Sequence, residues 1–311
     1  MSSLRVAFLG NDPWSVPPLR ALTESSHEVA LVVTRVPRPS GRGNQMRPTR
    51  VAESARQMGL SLVEVETVRS GPGFERLREI DPDVLAVVAY GEILPPAVLG
   101  LARVAPVNLH FSLLPALRGA APVQAALLHG MTETGVTTIR MDEGLDTGPI
   151  LGRLRVSIAP DDDAGSLGAR LAEVGGGLLV RTMDLLASGK AEPKPQRHEE
   201  ATFAPKLGPD DRVLLWERPA RELVDRCRAL SPRPAAATTF RGRPLRILRA
   251  EVAPASEGEP GRIVHVGRDG IVVATGRGGF RPLAFAPAGR RRMDALDFVN
   301  GLHPRVGEAL G

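Results

Sequence analysis

Unbroken apolar runs, LRVAFLG at 4–10, VALVVT at 29–34, LSLVEV at 60–65, DVLAVVAYG at 83–91 and APVNLHF at 105–111, alternate with stretches of helical period such as SVPPLRALTES, RVAESARQMG and GPGFERLREI. A strand buried on both faces reads as a continuous hydrophobic segment. The first part of the chain therefore predicts an α/β fold, a Rossmann-like, doubly wound and mostly parallel sheet. Ligands of such sheets sit at the carboxyl ends of the strands. VVAYGEILP at 87–95 and VNLHFSLLP at 107–115 both end there. The turn after the first strand, GNDPW, lacks a G-x-G-x-x-G pattern, so the layout gives no support to a dinucleotide cofactor. VVAYG reads as a buried strand and a glycine turn, which leaves Tyr90 and Gly91 outside the predicted site.

The pattern changes in the second part. A long helix is expected over 164–188, ended by Gly189, with the acidic run Asp161 to Asp163 as its polar start. KAEPKPQRHEE then combines prolines with charges of both signs and no apolar period, a linker composition. Beyond Leu207 come one short helix and the β-type runs AAATTF, LRILRAEV, GRIVHV, GIVVATG and RPLAFAP, split by Gly and Pro. A small OB-type β-barrel is the expectation. The predicted domains are 1–189, catalytic; 190–206, linker; and 207–311, barrel.

Composition narrows the class. At 311 residues the chain is long enough for two cores, and its one cysteine, Cys227, allows neither an internal disulfide nor a Cys-based metal site. No metal is expected, because no histidines or carboxylates show ligand spacing on one face. MSSLRVAFLG is unlike a signal peptide and no run is long enough to span a membrane, so a cytoplasmic protein is expected, with no membrane partner. Without a heptad run, a monomer is the default.

Charge is unevenly spread. Residues 206–311 hold 19 Lys and Arg against 12 Asp and Glu, whereas residues 1–205 hold 21 against 23. The asymmetry points to a polyanionic partner for the second domain, with Arg290, Arg291 and Arg292 as its densest cluster. The segment 35–50, RVPRPSGRGNQMRPTR, adds Arg35, Arg38, Arg42, Arg47 and Arg50 and no acid. Its three prolines predict an irregular, arginine-bearing loop close to the site.

The chemistry lies between Val107 and Gly148. Asn108 and His110 alternate with Val107 and Leu109, so on a strand both polar side chains leave from one face. Gly144 and Gly148 around Asp146 predict a tight loop able to return its carboxylate to the imidazole. An amide and an imidazole can stabilise the oxyanion of an acyl-type transfer, and the imidazole with an orienting carboxylate can move a proton. Such a set needs neither a metal nor a covalent nucleophile.

The strings NLHFSLLPALRGAAPVQ and MDEGLDTG, with VAFLGNDPWSVPPLRAL, VVAYGEILP and VATGRGGFRPLAFAPAGRRRM, resemble the formyltetrahydrofolate-dependent formyltransferases. RGAAP and the C-terminal segment narrow the resemblance to the methionyl-tRNA formyltransferases. It implies catalytic Asn108, His110 and Asp146, folate contacts at Ser112, Leu113, Leu114 and Pro115, and 10-formyltetrahydrofolate as co-substrate. It also implies methionyl initiator tRNA as acceptor, contacted by Arg42 on the basic loop. Arg118 in RGAAP has three readings: orientation of the substrate, a contact to the tRNA acceptor end, or a cap on the following helix. Phe111 and Arg233 depart from the pattern; Phe111 is expected to pack away from the imidazole. Rivals are an amino-sugar nucleotide formyltransferase, a folate-deformylating hydrolase and a non-catalytic RNA-binding module.

Overall fold

A computed structural model describes residues 3–40, 45–254 and 257–311. The described chain divides into two compact units, Met1–Pro122 with Glu133–Ser157 and Gly168–Pro205, and Val123–Thr132 with Ile158–Leu167 and Lys206–Gly311.

In the first unit the apolar runs form β1 (Arg5–Gly10), β2 (Glu28–Arg35), β5 (Leu62–Val65), β6 (Val84–Val88) and β7 (Ala105–His110), joined by α1 (Val16–Thr23), α2 (Arg50–Gln57), α3 (Gly71–Ile80) and α4 (Pro96–Leu99). Two strands absent from the prediction, β8 (Glu133–Arg140) and β9 (Ile150–Ser157), complete a sheet of order β5-β2-β1-β6-β7-β8-β9. The pairs from β5 to β7 are parallel, whereas β7 with β8 and β8 with β9 are antiparallel. The strand order reverses between β1 and β6, so the crevice of such a fold opens beside the ends of β1, β6 and β7. β6 is buried along its whole length, which is why VLAVV shows no alternation.

The basic segment is more regular than its prolines suggested. β3 (Arg38–Ser40) and β4 (Gln45–Arg47) pair antiparallel, Pro39 opposite Met46. Every strand of a two-stranded ribbon is an edge, and a proline without an N–H fits at an outward-facing position.

The expected long helix is α6 (Ala164–Ala187), and Gly189 follows it with φ +66°. At its start Asp163 accepts from Ser166 N (2.9 Å) and the Ser166 hydroxyl accepts from Asp163 N (3.0 Å), a reciprocal cap. Its glycines are places of close approach. A Cβ on Gly168 would stand 2.1 Å from the Trp14 ring, and one on Gly175 would stand 2.8 Å from Leu109 of β7.

The segment read as a linker is largely built into the first unit, which runs to Pro205. Ile150 and Lys194 exchange both backbone hydrogen bonds at 2.8 Å, and Arg118 N–H and carbonyl bond to Thr202 O (2.8 Å) and Ala204 N (2.7 Å). Prolines and charges concealed a backbone that pairs with what precedes it.

The second unit carries α5 (Pro122–Leu128) from Val123 on, α7 (Ala220–Leu230), α8 (Ala295–Leu302) and an antiparallel sheet of order β10-β11-β14-β13-β12. These strands are β10 (Ala236–Phe240), β11 (Arg243–Ala253), β12 (Ile263–Gly267), β13 (Gly270–Ala274) and β14 (Gly279–Pro287), with the short β15 (Met293–Asp294) beside β14. The helix α8 was not anticipated. Phe298 from it stacks on Phe285 (4.0 Å between ring centres), and Trp216 meets Phe280 edge-on, inside a core that also takes in Cys227. Among the described residues no helix is long and apolar enough to cross a membrane, and no three His, Cys, Asp or Glu side chains converge as a metal site.

Candidate active site

β7 delivers two polar side chains to the end of the sheet because Val107 and Leu109, wholly buried, anchor its other face. Asn108 pairs in register with Val87 of β6 and Ile139 of β8, and His110 with Thr137 of β8. The imidazole Nε2 lies 3.0 Å from the Leu117 carbonyl. A carbonyl only accepts, so Nε2 carries hydrogen and Nδ1 is the nitrogen free to gain or lose a proton. Nδ1 faces Asp146 Oδ2 at 3.5 Å, with only 6% of the histidine side chain and 11% of the aspartate side chain exposed. Asn108 Nδ2 donates to Asp146 Oδ1 (3.2 Å) and Gly119 N to Oδ2 (2.8 Å). Asn108 and His110 therefore converge on the carboxylate of Asp146, the third residue named from sequence.

Asp146 itself takes the left-handed backbone conformation (φ +54°), a placement that costs a non-glycine residue about 1–3 kcal/mol. The two glycines serve a different purpose from the one expected of them. Neither has a positive φ; a Cβ on Gly148 would lie 1.9 Å from Arg140 O, and one on Gly144 1.9 Å from the Thr147 hydroxyl. The loop is tight because Asp142 ties Gly144 N (3.1 Å) and Thr147 Oγ1 (2.6 Å).

What holds the strained residue is Gln196, which the sequence did not single out. Buried in the former linker, its Nε2 donates to Asp146 O (2.8 Å) and Gly148 O (2.7 Å), while its Oε1 accepts from Arg118 Nε (3.2 Å) and a terminal nitrogen of the same guanidinium (2.7 Å). Arg118 also donates to His198 Nδ1 (3.2 Å) and is 4% exposed. The buried guanidinium, bound to Gln196 and His198 within the first unit, neither faces outward to an RNA nor caps the following helix. The neighbouring Gly119, at φ +123°, is pressed against Ala204 O, which a Cβ would approach to 2.6 Å.

The SLLP turn divides in two. Ser112 and Leu114 are fully buried: the Ser112 hydroxyl donates to Ala116 O (2.6 Å), and Thr137 Oγ1 donates to Ser112 O (2.7 Å) while accepting from Leu114 N (3.1 Å). Leu113 and Pro115 remain partly accessible. Phe111 is buried, its ring 6.0 Å from that of Trp14. Arg233 is exposed, and Arg42 lies outside the described residues.

Asn11, also unremarked in sequence, fastens the strand ends. It donates to Tyr90 O and accepts from Thr34 Oγ1 (3.0 Å) and Arg35 N (2.8 Å), linking the ends of β1, β2 and β6. Tyr90 is buried among apolar neighbours, where desolvation and then the Glu92 carboxylate push its phenol above the usual range. Next to Asn11, burial raises the Asp12 carboxyl against the lowering effect of the Trp14 N–H.

Residues 4–183 match the formyl transferase family and residues 206–303 match the formyl transferase C-terminal domain. The methionyl-tRNA formyltransferase of Agathobacter rectalis is 40% identical over 305 residues, covering 98% of both chains, and that of Symbiobacterium thermophilum is 43% identical over 308, covering 98% of this chain and 94% of its own. Among solved structures, an N-formyltransferase from Helicobacter canadensis in complex with folinic acid and dTDP-3-aminofucose superposes with a TM-score of 0.66 at 14% identity, over 90% of this chain and 99% of that one. At that identity the superposition speaks for the fold, and near-complete alignment at about 40% identity speaks for the family: the chain belongs to the methionyl-tRNA formyltransferases.

Proposed function

We propose that the protein transfers the formyl group of 10-formyltetrahydrofolate to the free amine of methionine on initiator tRNA, giving N-formylmethionyl-tRNA for translation initiation. The observation that carries this reading is the convergence of Asn108, His110 and Asp146 at a strand end within the crevice side of the sheet. The acceptor amine brings its own lone pair, so no protein nucleophile is needed. As the amine bonds to the formyl carbon, the carbonyl electrons move to oxygen. The second N–H of Asn108 and a protonated His110 Nδ1 are donors suited to that oxyanion. The intermediate collapses by breaking the carbon's bond to the folate nitrogen, while one proton leaves the incoming amine and one reaches the departing nitrogen. His110 Nδ1 is the relay, and Asp146 steadies the imidazole when it is positive.

The folate is assigned to the SLLP turn, where accessible Leu113 and Pro115 offer apolar edges and buried Ser112 and Leu114 keep the turn in shape. For the RNA, the basic excess of 206–311 is the support, and we read that unit as an OB-type barrel. Phe240 bridges to Leu310 and Arg262 to Ala309, so the C-terminal residues connect to both ends of the sheet path. A hollow of about 370 Å³ there is lined by Phe240, Leu245 and Pro287 with Arg241, Arg243 and Arg290 around them. Arg241 is engaged with Glu308, but among the described residues Arg243 and Arg290 face no carboxylate within bonding distance. Arg42 is assigned to the RNA as well. A cytosolic monomer fits this role.

The test is acceptor choice. Purified protein supplied with 10-formyltetrahydrofolate is expected to formylate charged initiator tRNA and to leave an amino-sugar nucleotide unmodified. The reverse outcome selects the sugar enzyme, and release of formate with neither acceptor modified selects the hydrolase.

A further inference from the structure

We infer that Gln196 and Arg118 form a positioning clamp for Asp146, so that a segment composed like a linker sets the geometry of the reaction. The inference rests on the reading of Asp146 as part of the transfer machinery. Gln196 has two amide hydrogens and two carbonyl lone pairs, and all four are used: the hydrogens on Asp146 O and Gly148 O, the lone pairs on the Arg118 guanidinium. The amide can face only one way, because a flip would set its oxygen against two carbonyls and its hydrogens against a guanidinium. Oxygens that accept from Gln196 belong to the backbone on either side of Thr147, the part of the loop that must hold Asp146 at φ +54°. Without those two donors the backbone of Asp146 loses its direct restraint, and the bonds from Asn108 and Gly119 to the carboxylate are left to oppose relaxation toward an ordinary conformation, which swings the carboxylate off His110.

The clamp is braced from the other side. Leu117, Arg118 and Gly119 contact three parts of the site: Leu117 O receives the His110 hydrogen, Gly119 N binds Asp146 Oδ2, and the Arg118 side chain orients Gln196. These three residues are in turn held by the same segment that carries Gln196, through Thr202 Oγ1 to Leu117 N (2.9 Å), Thr202 O to Arg118 N and Arg118 O to Ala204 N. One stretch of chain, 196–204, therefore fixes both the loop that presents the carboxylate and the turn that fixes the imidazole. Neither Gln196 nor Arg118 needs to touch a substrate for this.

A double-mutant cycle on the intact protein separates this role from general support of the fold. Gln196→Ala is expected to lower the single-turnover formylation rate about 100-fold, the scale of a catalytic group misplaced by about 1 Å, with the Michaelis constants for charged tRNA and folate changed less than about 3-fold. In an Asp146→Asn background the same substitution should cost less than about 3-fold, because the group it positions is already disabled. Gln196→Glu keeps the pairing with Arg118 but loses both donors, so it should be as slow as Gln196→Ala while melting closer to wild type; it replaces Gln196→Ala in the cycle if that variant does not fold. Arg118→Lys should lie between wild type and Gln196→Ala. Losses that multiply in the Asp146→Asn background, losses confined to the Michaelis constants, or a Gln196→Glu rate within about 3-fold of wild type overturn the clamp. An Asp146→Asn protein with full activity overturns the reading of Asp146 beneath it, a result distinguishable from the others.

Discussion

Arg118 in the first unit and Arg290 in the second carry the same planar cation into opposite surroundings. Arg118 is buried, and three of its five donors go to Gln196 and His198. Arg290, like Arg243, stands at the edge of an apolar hollow with no carboxylate partner among the described residues. A buried cation bonded to its own chain organises that chain. An exposed one without an anion keeps its charge available for a partner that brings one. On the proposed reading, the first unit uses its arginine to order the site and the second keeps cations available to an anionic partner, although arginine is abundant in both.

The comparison can be broken at its strongest point first. Asp146→Asn removes the charge that pairs with His110, and the transfer rate should fall by about 10²–10⁴-fold, the usual worth of an acid–base group, in single-turnover assays with charged tRNA saturating. A smaller effect, on stability, is expected at Arg118. Arg118→Met leaves Gln196 Oε1 buried without a donor, costing about 1–3 kcal/mol, and the melting temperature should drop by several degrees. If melting is unchanged, the enclosed arginine is not the organiser described above.

The second unit is tested by salt. Replacing Arg243 and Arg290 together with Gln should raise the Michaelis constant for tRNA, leave that for folate unchanged, and reduce the slope of log affinity against log salt by about 2. An unchanged slope means that these cations do not meet phosphate. The smallest effect belongs to a surface network that resembles neither case. Burial acts to raise the Asp83 carboxyl, but the Arg5 N–H and the Arg103 guanidinium outweigh it and hold the group below the ordinary aspartate range. Because the folded value is depressed, its contribution is complete above the unfolded value of about 3.9 and fades as pH falls through the folded one. Asp83→Asn should therefore lower the melting temperature slightly near neutrality, by a difference that shrinks as pH falls from about 5 to about 3.

The legible parts of the molecule were those written in local pattern. β1, β2, β6 and β7 follow from unbroken apolar runs, and the shared face of Asn108 and His110 follows from their spacing on a strand. β9 escaped because an edge strand that alternates with Arg153 and Arg155 has no continuous apolar signal. Gln196 escaped for a related reason: its importance comes from four hydrogen bonds to residues that lie 48 to 78 positions away, inside a stretch whose prolines and charges suggest solvent. Arg118 was conspicuous, but its burial was not, since nothing local distinguishes a guanidinium that binds outward from one that binds inward. Gly148 was noted as a turn residue, and only the approach of Arg140 O reveals that it provides room for a neighbouring strand.

The most direct measurement of the central claim is the rate of formyl transfer within a preformed complex of protein, 10-formyltetrahydrofolate and charged initiator tRNA, for wild type and His110→Ala. His110→Ala is expected to bind both substrates as wild type does and to transfer at least about 100-fold more slowly. Equal rates in the two complexes, or a deficit that disappears once both substrates are bound, would rule out His110 as the proton relay.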